Sequence, residues 1–182
     1  MLQFWPVESR LGTCNYIYGV ATRPEYRGRG LASRLLEQVA LPHVLICESA
    51  EVFSFYKKLG YDESFFVKKC RGTGVAPDIR PLREEDLPRA AEIYSQQGAF
   101  LARKAEDFRR MTEFYPGLAL WRDGEMIAYK IGPLEALGRD AHLFSGSFLC
   151  PPEAAFPGEI LPFGCSKGLA LDKKEYINLL FN

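Results

Sequence analysis

The sequence predicts an α/β (α+β) fold. Clusters of aromatic and branched residues near the start read as strands, and the run His43-Val44-Leu45-Ile46-Cys47 reads as a strand buried on both faces. Between and after them lie two apolar stripes at helical spacing, Leu31, Leu35, Leu36 and Val39, then Val52, Phe55, Tyr56 and Leu59. Strand and helix signals alternate within the first 70 residues, so a sheet covered by helices is expected.

Taken in order, Leu2 to Val7 and Tyr16 to Ala21 are two strands joined by the turn Arg10-Leu11-Gly12-Thr13. The stripe from Leu31 is a helix that stops before Pro42, and the stripe from Val52 is a second helix closed by Gly60 in the C-terminal cap position. Residues 61 to 70 return to strand character through Phe65, Phe66 and Val67. Arg71-Gly72-Thr73-Gly74-Val75-Ala76-Pro77 has two glycines and a proline and is the linker, which divides the chain into segments 1–75 and 76–182. Beyond it, Ile79 to Leu82 is a short strand, and Leu87, Ala90, Ala91 and Tyr94 stripe a helix whose positive end carries Glu84, Glu85 and Asp86. A further helix covers roughly Lys104 to Phe114. Leu118 to Trp121 and Met126 to Ile131 flank Arg122-Asp123-Gly124-Glu125, a hairpin signal. Residues 142–149 and 176–181 read as strands with a proline-rich loop between them.

At 182 residues the chain suffices for one well-buried core or two small ones. Apolar residues make up 47% and charged ones 25%, ordinary proportions for a folded protein. With Lys plus Arg equal to Asp plus Glu at 23 each, no overall basic field exists to hold nucleic acid. The five cysteines, Cys14, Cys47, Cys70, Cys150 and Cys165, form no Cys-x-x-Cys pair, so neither a metal site nor a disulfide framework is expected. No leader pattern and no long apolar run is present, which predicts a cytoplasmic protein without membrane association.

The sharpest chemical signal is the strand Tyr18-Gly19-Val20-Ala21-Thr22 running through Arg27-Gly28-Arg29-Gly30-Leu31-Ala32 directly into a helix. Glycines let consecutive backbone N–H groups converge on one point, and the helix that follows adds its unpaired N–H groups and positive dipole end. A pyrophosphate suits such a turn, with Arg27 and Arg29 as charged neighbours. An isolated Gly-x-Gly is more often a plain turn with solvated arginines; the strand–turn–helix context favours phosphate. Arginine-rich RNA binding is disfavoured, because one short basic turn lacks interleaved aromatics and repeated arginines.

This stretch resembles motif A of the GNAT N-acetyltransferases, Q/R-x-x-G-x-G/A, with Arg27, Gly30 and Ala32 at its fixed positions. Downstream, Ser49 to Tyr61 is similar to motif B, in which Tyr56 and Gly60 match, while Ser49 stands where the family has Asn and Val52 where it has Ala. The resemblance implies a mixed, mostly antiparallel sheet flanked by helices, and acetyl-CoA as cosubstrate without a metal. It implies direct attack of a small-molecule or peptide amine on the thioester within a ternary complex. The CoA-binding residues it implies are Val20, Ala21, Arg27, Gly28, Arg29, Gly30, Leu31, Ala32 and Ser49. A splayed backbone N–H near Val20 would steady the oxyanion, and Tyr56 would act as general acid toward the departing thiolate. Tyr56 also shares an apolar stripe with Val52 and Leu59, so a core role is its plain alternative.

No general base stands out. Glu25 and Glu48 read as solvated carboxylates, His43 and His142 as structural, and Asn182 is a candidate only through its terminal carboxylate. The family places a strand, two helices and a hairpin ahead of motif A, where this chain has about 15 residues, and only 13 residues separate Gly30 from Val44. Ile79-Arg80-Pro81-Leu82-Arg83-Glu84-Glu85-Asp86-Leu87 resembles the opening of a second GNAT domain that lacks its own phosphate loop. The later segment therefore either completes the first fold or forms a degenerate second one. The two segments are expected to pack into one continuous or closely abutting sheet, within one chain or by exchange across a homodimer. A non-catalytic CoA-binding or protein-interaction module is the alternative to an enzyme.

Overall fold

Ten strands and four α-helices follow one another among the described residues of the computed structural model: β1 (Leu2–Ser9), β2 (Gly12–Val20), α1 (Leu31–Leu36), β3 (His43–Ile46), α2 (Ala50–Lys58), β4 (Asp62–Arg71), β5 (Arg80–Pro81), α3 (Leu87–Ser95), α4 (Ala105–Phe114), β6 (Ala119–Arg122), β7 (Met126–Tyr129), β8 (Glu135–Leu137), β9 (Ser147–Cys150) and β10 (Gly158–Lys167). The described residues are 1–75, 78–114, 119–122, 125–129, 135–171 and 175–177, with 119–122 described by their backbone alone. Ala76 and Pro77 of the linker, the Asp123-Gly124 turn, the end of the last expected strand and Asn182 lie outside them. Pairing is mostly antiparallel, with β2/β3 and β8/β9 the parallel pairs. The mixed α/β architecture with helices flanking a mostly antiparallel sheet is thus present.

Contacts divide the chain into two units, the first made of Met1–Phe65 with Pro162–Glu175 and the second of Phe66–Leu161 with Tyr176 and Ile177. In the first, the strand order is β1-β2-β3-β10-β4. Ile17, Leu45, Cys47 and Cys165 from these strands pack with Leu36 and Val39 around α1 and with Tyr56 of α2. Helix α1 covers six residues, fewer than its stripe suggests, but Val39 remains in the core through the turn that follows. Gly60, at φ +78°, closes α2 by donating its N–H to the Lys57 carbonyl at 3.1 Å, as a left-handed C-terminal cap requires.

The second unit has the order β4-β9-β8-β7-β6-β5 with α3 and α4 packed on each other. Its core joins Met126, Ala128, Ala136, Ala141, Phe144 and Phe148 with Cys70 and Cys150. The expected strand–helix–helix–strand–strand series over 79–131 appears here as β5, α3, α4, β6 and β7.

Two strands went unread in the sequence. β8 is only three residues long, and β10 occupies most of the stretch expected to be proline-rich loop. β10 contains Gly158, Pro162 and Gly164, which depress every strand signal. The structure explains both glycines. A Cβ on Gly164 would lie 2.3 Å from the Leu45 carbonyl oxygen, and one on Gly158 would lie 2.5 Å from that of Lys69. Close backbone approach, not side-chain packing, selected these residues.

Candidate active site

β2 and β3 pair only through Asn15↔His43 and Tyr16↔Val44. Past that point β3 continues against β10, with Leu45↔Cys165 and Ile46↔Gly164, whereas β2 continues against β1. The two parallel strands therefore part company at Tyr16, and the backbone of Tyr18 to Val20 has no β3 residue opposite it. On the β1 side the register slips between Gln3↔Gly19 and Phe4↔Ile17, leaving Tyr18 as the extra residue of a bulge. Val20 is half-buried against the α1/α2 core. Ala21 is exposed, and its backbone N–H donates to the Met1 carbonyl at 3.0 Å while its own carbonyl accepts from the Met1 ammonium at 2.8 Å.

The chain then makes a short 3-10 turn over Pro24–Tyr26 and enters the glycine loop. Gly28 and Gly30 take φ +75° and +68°, and nothing lies within 4 Å of where a Cβ would stand on either. That is the left-handed backbone glycine is needed for, with open space in front of it. Arg27 Nε donates to the Thr22 carbonyl at 3.2 Å and Arg29 Nη2 to the Glu25 carbonyl at 3.2 Å, the Arg29 guanidinium also standing 5.3 Å from the Tyr26 ring. Arg34, which the sequence reading passed over, reaches back to the Arg29 carbonyl at 3.4 Å. Its place one turn into α1 was the available signal. Three arginines thus ring an exposed turn, and the residues present fit a diphosphate. Leu31 and Ala32 begin α1, half-buried. Six residues give this helix a weak dipole.

Ser49 is the N-cap of α2, its hydroxyl accepting the Val52 N–H at 3.4 Å. The same hydroxyl holds the Glu51 carboxyl below its usual range. Tyr56, close to the C-terminal end of α2, is buried among Ile17, Cys47 and Cys165, with its ring edge-on to Phe55 and Tyr61 at 5.1 Å each. Burial, then the Cys47 and Cys165 thiols, push its phenol up to about 12, so it remains a proton donor throughout the neutral range. Behind it, His43 Nε2–H donates to the Val39 carbonyl at 3.1 Å, which leaves Nδ1 to accept the Tyr61 O–H at 2.7 Å. Burial keeps His43 below its ordinary pKa. His43 is thus built into the core, Glu25 and Glu48 are exposed, and Asn182 lies outside the described residues.

The sequence reading also missed two cysteine contacts, Cys47 with Cys165 and Cys70 with Cys150, each 3.5 Å between sulfurs of free thiols. Among the described residues no cluster of metal-binding side chains occurs, and no helix is long and apolar enough to cross a membrane.

Residues 3–63 match the profile of the acetyltransferase (GNAT) domain. No curated protein matches the sequence. The fold is similar to that of a candidate acetyltransferase from Pyrococcus horikoshii, with a TM-score of 0.60 and 13% identity over 95% of this chain and 70% of the other. A protein of unknown function from Enterococcus faecalis V583, given as a probable N-acyltransferase, aligns at a TM-score of 0.49 and 16% identity over 91% of this chain and 57% of its own, too loose a likeness to carry weight.

Proposed function

We propose that the chain, whose residues 3–63 match the acetyltransferase (GNAT) domain profile, transfers an acyl group, acetyl in the first instance, from acyl-CoA to a primary amine by direct attack in a ternary complex. The observation that carries this reading is the parting of β2 from β3 at Tyr16, immediately before the open glycine loop. The loop N–H groups, with Arg27, Arg29 and Arg34, bind the CoA diphosphate, and Gly28 and Gly30 let it approach the backbone. The Val20 N–H, at the end of the unpaired stretch, steadies the oxyanion that forms as the amine attacks. Ala21, Leu31 and Ala32 line the same path, and Ser49 marks its far side at the start of α2.

Tyr56 serves the leaving group. An ordinary thiol has a pKa of about 8.5, well below that of this phenol, so full proton transfer to a relaxed thiolate is uphill. Tyr56 contributes as a positioned hydrogen-bond donor whose proton moves toward sulfur as the C–S bond breaks. A non-catalytic CoA-binding module is the second reading, favoured by one observation: the Ser49 hydroxyl, at the family's Asn position, is already occupied in capping α2.

The direct test is a thermal melt with acetyl-CoA. A ligand bound only by the folded state stabilises it by RT ln(1 + [L]/Kd), about 2.7 kcal/mol at a hundredfold excess over Kd. A saturable rise in Tm is expected in the native chain; no rise at millimolar acetyl-CoA overturns both readings.

A further inference from the structure

Two pairs of free thiols meet across neighbouring strands, and the acyl-transfer reading uses neither. Leu45 lies opposite Cys165 and Ile46 opposite Gly164, while the Cys47 N–H donates to the Phe163 carbonyl at 2.9 Å, so Cys47 and Cys165 sit diagonally on one face of β3 and β10. Their sulfurs are 3.5 Å apart. Gly164, next to Cys165, holds its backbone so close to β3 that a Cβ would stand 2.3 Å from the Leu45 carbonyl oxygen, and this close approach brings the two thiols into contact. Cys70 and Cys150 form the same diagonal across β4 and β9, with Lys69 and Leu149 paired between them and their sulfurs also 3.5 Å apart. Cys14 is buried without a second thiol beside it, its sulfur 3.5 Å from the Ser9 hydroxyl.

We propose that Cys47 and Cys165 are a modification site, oxidised by hydrogen peroxide to a disulfide that fastens β10 to β3, and that this pair reacts ahead of Cys70 with Cys150. A buried thiol on its own is inert, because burial disfavours the thiolate that reacts. Contact changes this for the pair. A thiolate at Cys165 accepts the Cys47 S–H, which holds the Cys165 pKa below that of an ordinary thiol, while the same contact, then burial, keeps the proton on Cys47. Burial, then Cys70, instead pushes Cys150 up. Cys47 is also the most exposed of the five cysteines, at 5%, and stands just past the end of β3, beyond the point where β2 has left it. The Cys165 thiolate attacks one peroxide oxygen and the O–O bond breaks, giving a sulfenic acid and a hydroxide that takes up the proton Cys165 released. The Cys47 sulfur then attacks the sulfenic sulfur; S–S forms as S–O breaks, and the hydroxyl leaves with the Cys47 proton as water. The two thiols lose two electrons and the peroxide becomes two waters. The bond joins residues 118 positions apart, and a crosslink over a long loop restricts the unfolded chain most, so the oxidised chain is the more stable one.

The test is to treat the full chain with a small excess of hydrogen peroxide, block the remaining thiols with iodoacetamide in urea, and map the peptides without reduction. The expected product lacks two hydrogens, carries a Cys47–Cys165 crosslink and has Cys14, Cys70 and Cys150 alkylated. Its urea midpoint should rise, and dithiothreitol should return it to the starting value. In Cys47→Ala, Cys165 loses the S–H that favours its thiolate and should stay as alkylatable as Cys14, with a urea midpoint that peroxide does not raise; Cys165→Ala should leave Cys47 alkylatable in the same way. Because the crosslink is mapped in the native chain, the result does not depend on either variant folding. Recovery of Cys47 and Cys165 both alkylated, a Cys70–Cys150 crosslink that forms ahead of theirs, or a Cys47–Cys165 crosslink that leaves the urea midpoint where it was overturns the proposal. Acetyl-CoA takes no part in these measurements, so their outcome is independent of the acyl-transfer reading.

Discussion

Gly30 is the residue on which the phosphate loop can be tested most sharply. Its φ of +68° makes any side chain there cost on the order of 1–2 kcal/mol, yet the space in front of it is empty. Gly30→Ala therefore pays the backbone cost alone, whereas Gly30→Glu also places a negative group where a diphosphate would approach. We expect Gly30→Glu to abolish the acetyl-CoA shift in Tm while Gly30→Ala keeps part of it, with far-UV spectra unchanged in both. Tyr56→Phe leaves the ring packed against Phe55 and Tyr61. It should lower kcat by about 10²-fold with little change in acetyl-CoA affinity, and equal turnover would make Tyr56 a core residue only. Both residues were legible in the sequence, because glycine spacing and a tyrosine at a fixed offset are local patterns. The contact of Trp5 with Tyr16 was not. Trp5 and Tyr16 are eleven positions apart, and only the register of β1 on β2, set by the tight turn between Ser9 and Gly12, brings their rings within 5.4 Å.

At the scale of elements, β1 to β4 with α1 and α2 could be read because each carries its own period. β10 could not, since Gly158 and Gly164 answer to Lys69 and Leu45, which are distant in sequence. Gly164→Ala tests this account of the strand. The added Cβ would press on the Leu45 carbonyl, which is backbone and cannot swing aside. A loss of about 2–3 kcal/mol in urea unfolding is expected, and a loss under 0.5 kcal/mol would mean that β10 does not lie this close to β3. The α1 stripe shows the opposite error, since Val39 keeps the helical spacing and the buried position without being helical. Periodicity reports which side chains face the core, and the backbone between them is free to turn.

For the molecule as a whole, the first unit depends on both ends of the described chain, since β3 is flanked by β2 and by β10. Residues 1–75 expressed alone lack the Phe163 carbonyl that accepts the Cys47 N–H at 2.9 Å, along with the Cys165 side of the core. That fragment should aggregate, and a soluble fragment that binds acetyl-CoA would contradict this dependence. Stability should also fall at high pH. Burial first, with nearby groups adding to it, raises the Tyr16 and Tyr56 phenols to about 12, so between pH 10 and 12 the folded chain holds protons that the unfolded chain releases. The stability this confers is complete below pH 10 and declines as pH rises through 12, by on the order of 2 kcal/mol per tyrosine; urea midpoints at pH 8 and pH 11 check it, and Tyr16→Phe with Tyr56→Phe should flatten the decline. The acyl-transfer claim itself is met most directly by incubating the chain with acetyl-CoA and a pool of primary amines, then following released CoA thiol and acetylated products by mass spectrometry. The account predicts thiol and acetylated amine in equal amounts, reduced about a hundredfold in Tyr56→Phe and absent in Gly30→Glu; a chain that is stabilised by acetyl-CoA yet acetylates no amine above the Gly30→Glu control would contradict it.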